Sequence, residues 1–282
     1  MAVEAIERLQ LKVLKAAVPL LMSPANYRDR DEQFTMTVSV IRELSEHVRR
    51  ITFRATPFAT FATTGPDEYC GLIFPTAPGQ PLTLPDPGRV NVRTAVARIP
   101  EADRPEIRWY TIRSIRPEIA EIDIDVIVHG DSGPGSAWAL RAVAGDVVGF
   151  RAAGSAYRPQ PVGARQLLVA DETAMPALYA ILETLPAEVG DVTAILELPD
   201  ESYDTGSASS IRPQIVLRGS EPPGSAALEL VRRSSVDGLR YVWVCGESAL
   251  ATGVRRHLVK ERGIDRRAIM FSGYWKLGSS RN

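Results

Sequence analysis

The 282-residue chain has only two cysteines, Cys70 and Cys245, far apart in sequence. That excludes a disulfide framework and is too few for a thiolate-held iron–sulfur cluster or a structural zinc site. Such usage fits a reducing, cytoplasmic compartment. Histidine is equally scarce: His47, His129 and His257 are the whole supply, and no metal-ligand set is expected. No charge sign dominates. Lys plus Arg (33) nearly balance Asp plus Glu (34), so the net charge of -1 offers no bulk basicity for nucleic acid. Long apolar runs are also missing. Val13 to Met22 is too short to span a bilayer and carries Lys15. Glu4, Glu7, Arg8 and Lys12 precede it, which is not the flank of a signal peptide. Stable membrane insertion is not expected. Residues 2–22 read as an amphipathic helix that packs on the body or on a partner subunit, since their charges are mixed rather than basic. The oligomeric state is open.

Two patterns follow one another along the chain. Residues 34–57 alternate, with Phe34, Met36, Val38 and Val40, then Val48, Ile51 and Phe53. Period two with β-branched residues predicts strands, with the charged Arg42-Glu43-Leu44-Ser45-Glu46 segment as the hairpin. Leu72-Ile73-Phe74, Trp109 to Ile112, Glu121 to Val128 and Val147 to Phe150 read as further short strands of a barrel. After Tyr157-Arg158-Pro159-Gln160-Pro161 the pattern changes. Gln166 to Ala170 is a continuous apolar run, as in a strand buried on both faces. A helix from about 174 to 185, a strand over 192–198, Ile215 to Leu217, a helix over 226–233 and a strand over 241–244 continue the alternation. Asp200 to Pro213, polar and Gly/Ser-rich, reads as a mobile loop. Strands alternating with helices predict a parallel sheet. The division is therefore a leader over residues 1–33, a β-barrel over 34–163 and an α/β domain over 164–282.

Several segments carry chemistry. Arg108-Trp109-Tyr110-Thr111-Ile112-Arg113 offers a guanidinium for a phosphate, an aromatic ring for a flat cofactor such as a flavin, and a hydroxyl for the edge of its ring system. Val128-His129-Gly130-Asp131-Ser132-Gly133-Pro134-Gly135-Ser136-Ala137-Trp138 ends a strand and enters a helical stretch. Its glycines permit close backbone approach, and amides at a helix start bind anions, a pyrophosphate being the natural guest. A plain tight turn is the rival reading. Gly130-Asp131-Ser132-Gly133 also resembles the nucleophile loop of trypsin-like serine proteases. A separate histidine base and aspartate orienter are wanting, and no disulfides support a secreted protease. Asp171-Glu172-Thr173-Ala174-Met175-Pro176 lies at the carboxyl end of the first α/β strand, where such sheets bind ligands. Thr173 is placed to cap the next helix. No G-x-G-x-x-G fingerprint is present. Cys245-Gly246-Glu247 ends a later strand, where small residues admit a nicotinamide; a buried structural cysteine is the bland alternative. Gly273-Tyr274-Trp275-Lys276-Leu277-Gly278 is aromatic at a polar, locally basic end that includes Arg262.

Together these segments resemble the siderophore-interacting protein family of ferric-siderophore reductases, in the ferredoxin-reductase-like superfamily. R-x-Y-T-x-R at Arg108–Arg113, H-G-x-x-G-P-x-S-x-W at His129–Trp138, D-E-T-A-x-P at Asp171–Pro176 and G-Y-W-K at Gly273–Lys276 occur in the family's order, across about residues 34 to 279. The resemblance implies a Greek-key barrel binding FAD and a parallel-sheet domain receiving NADPH or NADH. It implies FAD contacts at Arg108, Tyr110 and Thr111, with Tyr110 and Thr111 at the reacting ring. It extends those contacts to Val128, His129, Gly130, Gly133, Pro134, Ser136, Ala137 and Trp138. It implies a nucleotide site at Asp171, Glu172, Thr173, Cys245, Gly246 and Glu247, with Tyr274 and Trp275 near the flavin. The substrate is then an anionic ferric siderophore, for which Lys276 is the leading contact and Arg262 a weaker one. Three departures stand out: a long leader, Gly135 in place of a more usual alanine, read as harmless, and Asp67-Glu68-Tyr69-Cys70, read as altering the mouth of the substrate pocket. The alternatives are a flavin reductase or natural-product oxidoreductase, and a non-catalytic flavin- or siderophore-binding protein. Arg218 and Arg232-Arg233 are candidates for a 2′-phosphate, with ordinary surface arginines as the rival reading.

Overall fold

A computed structural model describes residues 18–28, 32–77, 79–88, 91–128, 133–186 and 188–278. The chain forms two compact units. One runs from Asn26 to Ser155; the other begins at Ala156 and takes in the segment that ends at Ala25.

The first unit is an antiparallel barrel. Its strands are β1 (Asn26–Tyr27), β2 (Gln33–Ser45), β3 (Val48–Arg54), β4 (Tyr69–Phe74), β5 (Glu106–Arg116), β6 (Glu121–Ile127) and β7 (Val147–Ser155). They pair in the order β1-β7-β2-β3-β6-β5-β4, and β7 also pairs with β4, which closes the sheet. Helix α1 (Val92–Ala97) lies in the β4–β5 connection and α2 (Pro134–Arg141) in the β6–β7 connection. Period two explains the interior. Ile122, Ile124 and Val126 alternate inward and join Met36, Phe53, Leu72 and Phe150 in the core.

The acidic residues of β6 between those apolar ones are buried too, because each meets a partner directly across the ladder. Arg50, Thr52 and Arg54 of β3 face Asp125, Asp123 and Glu121. Arg50 makes a fork on Asp125 at 2.6 and 2.7 Å, and Thr52 donates to Asp123 at 2.7 Å. Arg116 on β5 reaches Asp123 at 2.6 and 2.8 Å. Such cross-strand pairs stabilise a sheet by roughly 0.2–1 kcal/mol each. Burial alone would raise the Asp123 carboxyl; the hydrogen bonds from Arg116, Thr52 and Ser114 outweigh it and hold its pKa at about 2.

One expectation is corrected here, and one departure gains a structural role. The charged segment 42–46 is not the hairpin. Arg42, Glu43 and Ser45 continue β2 in register with Arg50, Arg49 and Val48 of β3, because charges cost nothing on an exposed strand face. Only Glu46 and His47 turn the chain. The Asp67-Glu68 departure serves the scaffold. The Glu68 carboxylate is 1% exposed. It accepts from Thr64 N at 2.7 Å, Thr64 Oγ1 at 2.6 Å and Arg28 Nε at 2.8 Å. That ties two loops to β4.

The second unit is a parallel sheet in the order β10-β9-β8-β11-β12. Its strands are β8 (Arg165–Asp171), β9 (Val192–Leu198), β10 (Gln214–Leu217), β11 (Leu239–Glu247) and β12 (Ile269–Trp275). Helices α3 (Met175–Thr184), α4 (Ser225–Arg233) and α5 (Ser248–Lys260) connect them. Leu167, Val169, Ile195, Val242 and Val244 form one face, covered by Ala227 and Val231 of α4 and Leu250, Val254 and Leu258 of α5. The segment 200–213 is pinned rather than loose. Tyr179 donates to Asp204, Ser207 to Glu183 at 2.9 Å, and the buried Ser209 to the Leu182 carbonyl at 2.8 Å.

Candidate functional site

In the barrel, Arg108 and Tyr110 lie two residues apart on β5 and so share a face. Both reach the start of α2: a Cβ built on Gly135 would stand 2.1 Å from Tyr110 Oη and 3.6 Å from Arg108 Cγ. Ile107 and Trp109 take the other face, over Gly71, where Trp109 also meets Tyr69 edge-on at 5.7 Å. Gly133 caps α2 without a side-chain bond, and Pro134 opens its first turn. A helix start of that kind presents amides to an anion. Arg108 spends one terminal nitrogen on Glu106 (2.6 Å) and on the Ile107 carbonyl (2.7 Å), which leaves the rest of its fork without a partner among the described residues. Burial pushes the Tyr110 hydroxyl up to about 12, against the pull of Arg108, so the ring is neutral. Thr111 follows at 6% exposure.

These residues fit a flavin dinucleotide: a cationic fork beside open helix amides suits a pyrophosphate, and a neutral aromatic ring next to a small hydroxyl suits a flat heterocycle. Gly135 is not harmless. An alanine there requires Tyr110 to move, so the glycine seats the tyrosine hydroxyl. Trp138, expected on the cofactor, is 3% exposed and stacks on Phe74 at 5.3 Å and on Phe53 at 6.3 Å. It anchors α2 to the core. Val128 is likewise buried. Ser136 Oγ lies 3.4 Å from the Ile127 carbonyl, and Ala137 N bonds the Gly133 carbonyl. His129 and Gly130 lie outside the described residues.

In the α/β unit, β8 is followed in sheet order by β9 on one side and β11 on the other. Such a reversal opens a crevice at the strands' carboxyl ends. Asp171, at the end of β8, is buried there. Its carboxylate accepts from Thr173 N (2.9 Å), Thr173 Oγ1 (2.6 Å), Glu247 N (2.6 Å) and Trp275 Nε1 (3.0 Å). One side chain thus gathers the ends of β8, β11 and β12. Burial first, then the neighbouring Glu172 charge, raise its pKa to about 6 in spite of those donors. Gly246 has φ +141 and passes so close that a Cβ would stand 2.6 Å from the Asp171 carboxyl carbon; only glycine fits. Glu247 turns its own carboxylate to the first amides of α5 and to Leu277 N at 3.1 Å.

The structure therefore unites Asp171, Thr173, Gly246, Glu247 and Trp275. Thr173 does not cap α3 with its side chain. The cap residue is Ala174, and Asp171 serves the helix start by also accepting from Ala174 N at 3.2 Å. Glu172 is 1% exposed and held by Arg218 at 2.6 and 2.7 Å. Arg218, its side chain 9% exposed, is thus an ion-pair partner, neither a surface arginine nor free for a phosphate. Cys245 is fully buried, the bland reading made for it. Tyr274 is partly buried and Lys276 exposed. Arg262 leans on the Ser234 carbonyl at 3.3 Å, beyond the C-terminus of α4 and at the amino end of the sheet, away from Lys276. Arg232 and Arg233 belong to that same end and pair with Glu229.

Two contributors escape a motif reading. Glu106 pairs with Arg108 and shares its strand face, a link that period two makes visible. Glu197 is the charged residue inside the apolar run of β9. It is fully buried, accepts from Gly224 N and, at 2.8 Å, from Ala227 N, and so caps α4.

A closed antiparallel barrel followed by a parallel sheet with its crevice at the strand reversal defines a two-unit protein of ferredoxin-reductase-like architecture. The family model for the siderophore-interacting FAD-binding domain matches residues 37–157, and that for the siderophore-interacting protein matches 163–278. The chain belongs to the siderophore-interacting protein family and carries its FAD-binding domain. It is 30% identical over 255 residues, 86% of this chain and 89% of the relative, to an uncharacterized protein of Mycobacterium tuberculosis. It is 26% identical over 244 residues to the ferric vibriobactin reductase ViuB of Vibrio cholerae, covering 84% of this chain and 87% of that protein. The crystal structure of a siderophore utilization protein from T. fusca superposes with a TM-score of 0.76 at 26% identity, covering 92% of this chain and 98% of the other. No helix among the described residues is long and apolar enough to cross a membrane.

Proposed function

We propose that the chain is an NAD(P)H-dependent ferric-siderophore reductase of the cytoplasm, with FAD on the barrel and the nicotinamide nucleotide on the α/β unit. The convergence of Arg108 and Tyr110 on the uncapped start of α2 carries this reading. The name of the Vibrio relative supports ferric siderophore as substrate.

Each residue has a role in this account. Arg108 turns its unused nitrogens to the flavin pyrophosphate, beside the amides of Gly135 and Ser136. Tyr110, neutral throughout the working pH range, lies against the ring system. Thr111 holds the ring edge by its hydroxyl. Asp171 accepts no hydride and donates no proton; it fixes Thr173, Glu247 and Trp275 so that the crevice has a rigid floor for the nicotinamide nucleotide. Lys276, exposed at the same carboxyl end, attracts an anionic ferric siderophore. Bound FAD supplies the conversion from a two-electron donor to a one-electron acceptor. Hard oxygen ligands hold Fe(II) far less tightly than Fe(III), so iron leaves without protein ligands.

The test is anaerobic turnover with NADH or NADPH and an anionic ferric siderophore, in the presence of a chromogenic Fe(II) chelator. Fe(II) release dependent on all components is expected, and its absence contradicts the reductase reading. Lys276→Ala should weaken turnover and keep the FAD content; unchanged kinetics would sink the role given to Lys276.

A further inference from the structure

We propose that the α/β unit selects NADH over NADPH, through an acidic groove at the carboxyl ends of β9 and β10. This rests on the reading of that unit as the nicotinamide-nucleotide site. The groove has a volume of about 360 Å³ and is lined by Leu198, Ile215 and Leu217 with Glu201 and Asp204. Three aliphatic side chains make a slot suited to a purine, and two carboxylates stand at its rim.

The position is the informative part. In an open α/β sheet the dinucleotide crosses the carboxyl ends of the strands, and an acidic residue shortly after the second strand accepts from the ribose hydroxyls. Here the second strand is β9. The carboxylate on it, Glu197, is already spent on the start of α4. Glu201 and Asp204 come next, immediately beyond Leu198. Glu201 is exposed, and its carboxylate makes no bond among the described residues. Asp204 accepts from Tyr179 Oη and, at 2.8 Å, from Gly206 N, both through Oδ1, which leaves Oδ2 without a hydrogen bond among the described residues. Both acceptors suit a ribose diol. A 2′-phosphate would bring up to two negative charges against them.

The cations placed to offset this charge are committed elsewhere. Arg218, just past β10, has a side chain 9% exposed, lies 2.6 Å from Glu172 and 3.6 Å from Glu197, and releasing it would leave two buried carboxylates unpaired. Arg212 donates to the Ser207 carbonyl at 2.5 Å and is not among the lining residues. Arg232 and Arg233 belong to the opposite end of the sheet.

Equilibrium binding of NAD⁺ and NADP⁺ to the FAD-loaded protein tests this, by calorimetry at low and at physiological salt. At least tenfold tighter binding of NAD⁺ is expected, with the gap narrowing as salt rises. Glu201→Arg should narrow or reverse the preference, and Glu201→Gln should narrow it less. Glu201 is exposed, so neither change threatens the fold. Equal affinities in the wild type, or tighter NADP⁺, would overturn the selectivity and leave the nucleotide site standing. No binding of either nucleotide would overturn the site itself, and the selectivity with it.

Discussion

Each unit buries an aspartate, and the two carboxylates are held in opposite ways. Asp123 of the barrel receives a guanidinium and hydroxyls from neighbouring strands and sits at about 2. Asp171 of the α/β unit receives only amides, a hydroxyl and an indole, stands beside Glu172, and rises to about 6. The difference separates scaffold from site. Where this carboxylate closes a ladder, hydroxyls lie directly across from it and a cation reaches it from the next position along the neighbouring strand. Where strand ends must be gathered around a crevice, the donors are neutral groups from different elements, and the charge is left poorly compensated. A perturbed carboxylate in a cleft is the usual mark of a functional position.

The sharpest way to probe that contrast is Arg218→Ala, which leaves Glu172 and Glu197 buried without their cation. A loss of about 3–5 kcal/mol is expected. Hydrogen exchange should show it in the α/β unit while the barrel strands keep their protection. Arg108→Ala should act on the other unit alone, weakening FAD binding by roughly ten- to a hundredfold, the worth of a charged hydrogen bond, with nucleotide binding by the α/β unit retained. A FAD titration followed by fluorescence quenching measures it.

The pH responses should have opposite signs. Asp123 lies below its ordinary 3.8, so its contribution is present above pH 4 and lost as pH falls toward 2. Asp171 lies above 3.8, so its contribution is full below pH 4 and lost as pH rises through 6. Between pH 7 and 5 the α/β unit should therefore gain protection and the barrel should not. Asp171→Asn should abolish that gain; its persistence would assign it to another group. The smallest effect is expected from Gly135→Ala. Tyr110 must shift, so the flavin absorbance band should move and FAD affinity fall a few-fold, with little change in stability.

Much of this was legible in the residues themselves. Period two located the barrel strands, and the continuous apolar run at Gln166–Ala170 marked a doubly covered strand. The resemblance carried the chemistry, since Arg108, Tyr110 and Asp171 stand at motif positions. What escaped the reading depended on pairing. Nothing local says that Arg42 and Glu43 stay in a strand, because the reason is their register with Arg50 and Arg49. Nothing local distinguishes Arg218 from a surface arginine either; its pairing follows from Glu172, distant in sequence and brought to the same carboxyl end of the sheet with β9 between them. Trp138 looked like a cofactor aromatic because its motif begins at a helix start, yet the helix turns that position toward Phe53 and Phe74.

The most direct test of the central claim is the visible spectrum of the purified protein, recorded anaerobically before and after NADH and then after a ferric siderophore. The account predicts flavin bands that bleach with the nucleotide and return with the siderophore. A colourless protein that also fails to take up added FAD would contradict it.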